Sequence, residues 1–520
     1  MNPTGKARSE SEVIDLSVLI ATGFKGISAV HGETQRGEFG KAVLIGTWDD
    51  YRQYFGELAE RWKTPQATSF PLYVKRALER GAKLLVSRAG HYTDASDNTT
   101  VVGTKPTATV AGIVFTGKTV GVYEANVSIK PAANLVTDQF DITVELVGFP
   151  ELTKKLLNVP KVISTTVAAT LSSKLVYVTF AAGTIAMATT GGQTAELNTG
   201  TVTGGSYDIS AIVDADYVGD STAGTGIHSF DSENFDYICL PHKAIPALDT
   251  ALINYVDTRQ DCQAVLRTPV GADGTAIVDY REGTGTYTHA AHNTWRGRMF
   301  TGGLNINHPV TGVETEISEV GDVLGVLAVK DNKFKAWLAA AGRKRGKIRN
   351  CNGVVYDLGT AGRSTQADLV DIHGVNMVIN HQTFGTVVWG NSTLQKEDTL
   401  LKHANVADLI MFIQKVSKPI IDLELFDPND MDTWKTVYRG IKDMMDEIKR
   451  QRGCWNWIFQ GDQDASTVEE CVVNTGANID AGQWLFNLWV QPKVGMKYVG
   501  MRVVVTNSNV KFEELLGQPV

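Results

Sequence analysis

The sequence predicts a multidomain α/β (α+β) chain: a mixed-sheet core interrupted by an all-β insertion, followed by a second α/β region, with extended segments at both ends. Strand-helix-strand order occurs twice, within residues 41–88 and again within 237–269. Between these stretches the composition changes, and from Ser164 to Tyr207 only Lys174 and Glu196 are charged. In the last 150 residues, two short apolar runs bounded by glycine precede a long helical stripe. With 520 residues of which 43% are hydrophobic, the chain is long enough for two to four domains. The expected divisions are 1–22, an N-terminal arm; 23–95, the first part of the core; 96–207, the insertion; 208–360, the second part of the core; and 361–520, the C-terminal region with its own arm.

The elements follow in chain order. Val13 to Ile20 is a short extended run after a polar start, and Lys41 to Gly46 is another. From Thr47, an N-cap residue type, Tyr51, Tyr54, Phe55, Leu58 and Trp62 make a helical stripe. A second helix from about Phe70 to Arg80 stops at Gly81 and leads into the strand Lys83 to Arg88. In the insertion, Thr107 to Val114, Val120 to Ile129, Phe140 to Leu146 and Leu175 to Phe180 read as strands separated by turn residues. The strand Tyr237 to Pro241, a helix from Ala244 to Val256 and the strand Ala264 to Pro269 form a parallel unit. Val375, Met377, Val378 and Ile379, then Thr386 to Trp389, are β-prone runs. An apolar run from Ile420 to Phe426 ends in Asp427-Pro428-Asn429, turn chemistry because Pro428 fixes its own φ and biases Asp427 towards extended backbone. Trp434, Val437, Ile441, Met444, Met445 and Ile448 then recur at three- and four-residue spacing, with Asp430 or Asp432 as N-cap and Gly453 as stop.

Composition excludes several classes. The uncharged stretch Leu175 to Ala195 is rich in Thr and Gly and fails the bilayer-span test, so no membrane partner is expected. The first residues lack an apolar block with a cleavage site, so synthesis and assembly in the cytoplasm are expected. A net charge of −8, without long runs of like charge, argues against nucleic acid as a partner. Cys239, Cys262, Cys351, Cys454 and Cys471 show no zinc spacing, so no structural metal is expected. Cys454 and Cys471, flanking an apparent loop, are the candidates for a bridge between subunits in oxidising surroundings.

Catalytic or cofactor chemistry is not expected either. Gly219 to Gly226 approaches a phosphate-cradling loop but lacks the lysine that reaches the phosphates. His289 and His292, or His373 and His381, have no carboxylate-completed metal pattern, and no Gly-x-Ser-x-Gly elbow occurs. Asp49 and Asp50 sit at a helix start, where carboxylates complement the macrodipole.

The order Gly374-Val-Asn-Met-Val-Ile-Asn, Phe384-Gly385 to Trp389-Gly390, Thr393-Leu394, Phe426-Asp427-Pro428-Asn429 and Trp434 resembles the C-terminal domain of contractile phage tail sheath proteins, whose relatives build the sheaths of R-type bacteriocins and extracellular injection particles. Trp48 to Gly56, Gly81 and Leu85-Val-Ser-Arg88 are similar to that family's N-terminal pattern; Asp216-Tyr217-Val-Gly219, Thr225-Gly226 and the strand ending at Pro241 are similar to its middle region. Gly321 to Asp331 and Trp337 sit where the family has a helix, an acidic residue and a Trp. The chain departs from the pattern at Thr294-Trp295-Arg296, at Ile317 to Val320, and at His403-Ala-Asn405-Val406-Ala-Asp408, where the usual Arg-Arg pair is missing.

The resemblance implies a structural, non-enzymatic subunit that polymerises helically, in hexameric rings, around a tail tube protein, and contracts to drive the tube through a target envelope. Baseplate and tail terminator proteins would be its further partners, and the virion tail its location. The insertion would lie on the particle's outer surface. Arms from neighbouring copies would add strands to a third copy's sheet, here Val13, Ile14, Leu16, Val18 and Ile20 at one end and Tyr498, Val499, Met501, Val503 and Val505 at the other, with 493–497 as hinge. The basic end of the helix after Trp434, carrying Lys442, Lys449, Arg450 and Arg452, is the expected tube contact. The sheath of a bacteriocin or secretion machine, or a phage surface or adhesin lattice protein, stays open as an alternative.

Overall fold

The computed structural model describes residues 26–58, 70–94, 97–134, 136, 138–175, 177–187, 197–207 and 209–497. Its centre is an eight-stranded sheet built from β1 (Ile27–Gly32), β2 (Val43–Ile45), β3 (Lys83–Arg88), β4 (Tyr237–Cys239), β5 (Gln263–Arg267), β6 (Gly297–Thr301), β7 (Val375–His381) and β8 (Gly385–Trp389). The spatial order is β2-β3-β1-β4-β5-β6-β7-β8. The six inner strands are parallel, and β2 and β8 close the two edges antiparallel. The pairing of β6 with β7, Met299 opposite Val375, carries the sheet across the boundary expected at residue 360.

Side chains alternate across this sheet as a strand period of two requires. Val30, Tyr237, Cys239, Val265, Phe300 and Val378 face one apolar layer; Ala29, Ile238, Leu266, Met299 and Met377 face the other. The first layer is covered by helices α1 (Trp48–Phe55), α2 (Phe70–Glu79), α4 (Val320–Lys333), α5 (Ala404–Asp422) and α6 (Met431–Arg450); the second by α3 (Pro246–Arg259) and the helices Gly274–Glu282 and Ser364–Ile372. Covering both faces is the condition under which a parallel sheet is stable. Thr47 caps α1 in a reciprocal capping box with Asp50, as its residue type predicts.

Two joints tie α4 to the rest. Gly321 and Gly325 lie four apart on the helix face that meets α2; a Cβ on Gly321 would lie 2.8 Å from the Tyr73 carbonyl oxygen, so only glycine allows this approach. Asp322 between them accepts hydrogen bonds from Arg76 (2.6 Å) and Arg80 (2.5 Å). At the other end of α4, the fully buried Lys330 ammonium donates to Asp408 on α5 (2.7 Å) and to the Ala336 carbonyl (2.9 Å), and pairs with Asp331 (2.8 Å). Arg298 of β6 shares Asp408.

The strand order reverses between β1 and β4, the point where doubly wound sheets open a crevice at the carboxyl ends of their strands. Here Glu33 fills that position, paired with His242 (2.9 Å) and Lys243 (3.4 Å) and accepting from the Tyr217 hydroxyl. Burial alone would raise the Glu33 pKa, but His242, Lys243 and Tyr217 outweigh it and hold the carboxyl well below the usual range.

The insertion sits beside this crevice, with its own apolar core of residues such as Phe115, Ile129, Phe140 and Val178. Its largest sheet runs in the order Phe149–Pro160, Gln139–Leu146, Ala125–Pro131 and Asn198–Val202. The expectation of an all-β unit is corrected by a helix, Thr165–Ser172, capped by Ser164. The run Thr107 to Val114, expected as one strand, turns at Ala111 (φ 47°) and Gly112 (φ 78°) and forms a hairpin. Two buried arginines of the core reach into the insertion. Arg36 lies over the rings of Phe149 (4.8 Å) and Tyr177 (4.9 Å). Arg88 lies over those of Phe39 (4.2 Å) and Tyr207 (4.4 Å) and donates to the carbonyls of Gly37 and Val120.

Ile420 belongs to the last turn of α5, which contains Pro419, so the apolar run from Ile420 to Phe426 is the helix end and the turn that follows it. Strand β1 is absent from the sequence reading, because its buried positions include Ser28 and His31.

Candidate assembly surface

Strands β9 (Cys454–Gln460) and β10 (Asn487–Pro492) form a two-stranded antiparallel sheet. Ile458 stands opposite Trp489, and Phe459 opposite Leu488. The inner face is aromatic: Phe459 meets Tyr438 of α6 (5.1 Å between centroids) and Phe486 (4.9 Å), while Trp434 stacks on Trp484 (5.8 Å). Beneath it α6 buries Trp434, Val437, Ile441, Met444, Met445 and Ile448, the full stripe read from the spacing, and of the two candidate caps it uses Asp430, which accepts from the Asp432 and Thr433 amides.

The other side of this hairpin is open. Trp455 is 68% exposed, Ile458 60% and Trp489 61%. Among the described residues β9 and β10 pair only with each other, so each strand keeps one hydrogen-bonding edge without a strand partner. Alongside β10 runs a groove of about 440 Å³, lined by Ile410, Ile413 and Ile421 of α5 and by Phe486, Leu488 and Val490. An extended segment laid on the β10 edge would hydrogen-bond along its backbone and place alternate side chains in this groove.

The expected tube-contact residues lie on the exposed side of α6 and just past its end. Lys442 pairs with Asp446 (3.3 Å), Lys449 donates to Asn456 (2.9 Å), and Arg450 makes two hydrogen bonds to Glu447 (2.7 and 2.6 Å). Arg452 is exposed, with φ at 67° where the chain turns into β9. The turn between α5 and α6 presents Leu423, Leu425 and Phe426, all exposed and none of them singled out by sequence reasoning as surface groups. Phe426 has φ at 76°, a left-handed conformation that is strained for a bulky side chain. Asn429 fixes the turn by donating to the carbonyls of Ile479 and Gln483 and accepting from the Trp434 indole.

Cys454 does not flank a loop: it opens β9 and is fully buried, while Cys471 lies in the 461–486 connection and is partly exposed. Burial raises the thiol pKa of both. The arm residues Val13, Ile14, Leu16, Val18 and Ile20, and Tyr498, Val499, Met501, Val503 and Val505, lie outside the described residues. The stretch 493–497, expected as a hinge, is held instead: Asn405 donates to the Lys493 carbonyl (2.9 Å), Lys493 lies over Trp455 (4.6 Å), and Lys497 pairs with Asp371 (2.7 Å). Among the described residues no His, Cys, Asp and Glu group could hold a metal ion, and no helix is long and apolar enough to cross a membrane.

No family model matches the chain. It is 24% identical over 197 residues to the tail sheath protein of Vibrio phage KVP40, covering 38% of this chain and 28% of that one. It is 23% identical over 279 residues to the tail sheath protein of Enterobacteria phage T4, covering 51% and 40%. The chain thus spans well under half the length of these relatives. Its fold is similar to the crystal structure of the sheath tail protein from Listeria innocua, with a TM-score of 0.61 at 15% identity over 92% of this chain and 95% of that one. It is also similar to the contracted helical sheath of the anti-feeding prophage, with a TM-score of 0.53 at 11% identity over 97% and 99%. Its relatives in sequence and its neighbours in fold are alike tail sheath proteins.

Proposed function

We propose that this chain is the structural subunit of a contractile tail sheath, polymerising helically around an inner tail tube and contracting to drive the tube through the target cell envelope. The observation that carries the proposal is the β9–β10 hairpin, with both strand edges open and an apolar groove beside β10, in a chain whose fold matches a contracted sheath over nearly its whole length. Val13 to Ile20 of one neighbour and Tyr498 to Val505 of another would add to those edges. A net contribution of about 0.5 to 1.5 kcal/mol per hydrogen bond gives roughly 2 to 6 kcal/mol for a four-bond strand, repeated at every lattice link.

Lys442, Lys449, Arg450 and Arg452 would meet the tube. Three of them already have partners within the chain, so their contacts are weak and exchange readily on contraction. Of the two candidate thiols Cys454 is buried and Cys471 partly exposed, so a bridge between subunits from this pair would run through Cys471 and would show on non-reducing gels of intact particles. Contraction requires no nucleotide in this reading, only subunits rotating as rigid bodies from a metastable lattice into a better-packed one. Baseplate and terminator proteins would bound the tube-wrapped polymer in a virion tail assembled in the host cytoplasm. The likeness to the anti-feeding prophage sheath keeps an injection-machine sheath as the alternative.

Negative-stain electron microscopy of the full chain, beside a variant lacking residues 1–22, tests this. Hollow striated tubes that disappear with the truncation are expected. Monodisperse particles in both samples, unchanged by addition of the cognate tube protein, would overturn the proposal.

A further inference from the structure

The first turn of α5 brings together two buried polar residues, Asn405 and Asp408, three apart and therefore on one side of the helix. Asn405 is 3% exposed, and its amide has two donors and two acceptor positions to satisfy. Its Nδ2 donates to the carbonyls of Lys493 (2.9 Å) and Trp337 (3.5 Å). Its Oδ1 accepts from Asn391 Nδ2 (2.7 Å) and from the Gly495 amide (3.4 Å). Asn391 Oδ1 in turn accepts from the Asn405 amide (3.2 Å). Half of the side chain's hydrogen-bonding capacity is thus spent on the backbone of 493–495, which Asn405 grips at two points as a neighbouring strand would. If the linker left, a carbonyl and an amide group would remain buried without those partners, which is costly.

We infer that Asn405 is the positioning residue that fixes where the C-terminal arm leaves the subunit, and that the first turn of α5 passes a pull on that arm into the central sheet. The second half of the route is Asp408, held by Lys330 of α4 (2.7 Å) and by Arg298 of β6. Tension on residues beyond 497 arrives first at the Lys497–Asp371 pair, then at the Asn405 grip, and then at a buried ionic contact anchored in a strand of the sheet. A linker without this grip would let the arm swing, and the same pull would be lost in reorienting the chain. The mechanical part of the inference rests on the proposed sheath function; the grip itself does not.

Limited trypsin digestion of the purified full chain, at the bond after Lys493, reads the grip directly. Asn405→Ala is expected to speed that cleavage about tenfold, with the thermal transition of the core retained. Lys497→Glu changes a half-exposed side chain outside the core, keeps the variant set informative if Asn405→Ala fails to fold, and is expected to speed the same cleavage about threefold. Cleavage after Lys493 at the wild-type rate in a folded Asn405→Ala chain, or in Lys497→Glu where that is the only folded variant, overturns the grip. The force route is read by electron microscopy of assembled tubes. Asn405→Ala tubes are expected to form and then break into short pieces when contraction is triggered, whereas intact contracted tubes overturn the route. Failure of the wild-type chain to form tubes, even with the cognate tube protein added, would overturn the sheath reading, and with it the force route, while the proteolysis result would still decide the grip.

Discussion

Replacing Lys330 by methionine removes a cation that is fully buried among two carboxylates. In the native chain its ammonium lies 2.8 Å from Asp331 and 2.7 Å from Asp408, and donates to the Ala336 carbonyl at 2.9 Å. Methionine preserves most of the volume, so the change is almost purely electrostatic. Arg298 stays on Asp408, leaving Asp331 with the Tyr237 hydroxyl (2.9 Å) as its hydrogen-bond donor. Breaking a buried pair while leaving its partner costs about 3 to 5 kcal/mol. The cost depends on pH in a definite direction. Burial raises the Asp331 pKa to about 7 even though Lys330 pulls it down. A carboxyl whose folded pKa is raised contributes stability below its unfolded value near 3.8 and loses it as pH rises through about 7. Without Lys330 the folded pKa rises further, so the deficit of the variant is full at pH 8.5 and shrinks at pH 6, where Asp331 takes up a proton. Urea unfolding followed by tryptophan fluorescence at the two pH values measures both. A deficit under about 1 kcal/mol at pH 8.5, or equal deficits at the two pH values, would refute the reasoning.

Other perturbations have equally definite outcomes. Gly321→Ala should destabilise the chain by about 1 to 3 kcal/mol, because the added Cβ meets the Tyr73 backbone and α2 and α4 must move apart; a thermal melt reads it. Asp249, buried beside the Tyr280 hydroxyl (2.6 Å), has its pKa raised to about 7 by burial, so its contribution falls as pH rises from about 4 to 7. Asp249→Asn should therefore stabilise the chain at pH 8 by up to about 4 kcal/mol and flatten that part of the pH profile, as urea titrations at pH 5 and 8 would record. Arg88→Met removes hydrogen bonds to two carbonyls and two ring contacts, and should open residues 89–121 to protease while the core melts as before.

Much of the fold is legible where a segment carries its own period. The α6 stripe, the β4-α3-β5 unit and the Thr47 cap follow from spacing and local chemistry, because each buries one face or satisfies its own helix end. Strand β1 does not, since Ser28 and His31 are buried by the strands on either side, which no local window records. Helix α5 buries twelve of its nineteen residues on several sides, so little polar face remains to mark a period, and Pro419 argues locally against a helix. The Thr-rich Thr165–Ser172 segment reads as β-prone until Ser164 caps it and the insertion's core accepts Ala168. The candidate assembly surface is the least legible. Its two strands are separated by residues 461–486, and the Asn405 grip joins positions 88 and 90 apart, so both exist only once the chain has folded.

The insertion's seating constrains any attempt to replace it with a foreign domain. Phe149 and Tyr177 provide the ring faces for Arg36, and Tyr207 provides one of the two for Arg88. A foreign domain spliced into the same place must bring aromatic faces to both guanidinium groups, or two buried cations will lose the surfaces they rest on. Exchange is therefore confined to positions away from these rings, and the turn at 147–148, which runs directly into Phe149, has to be kept.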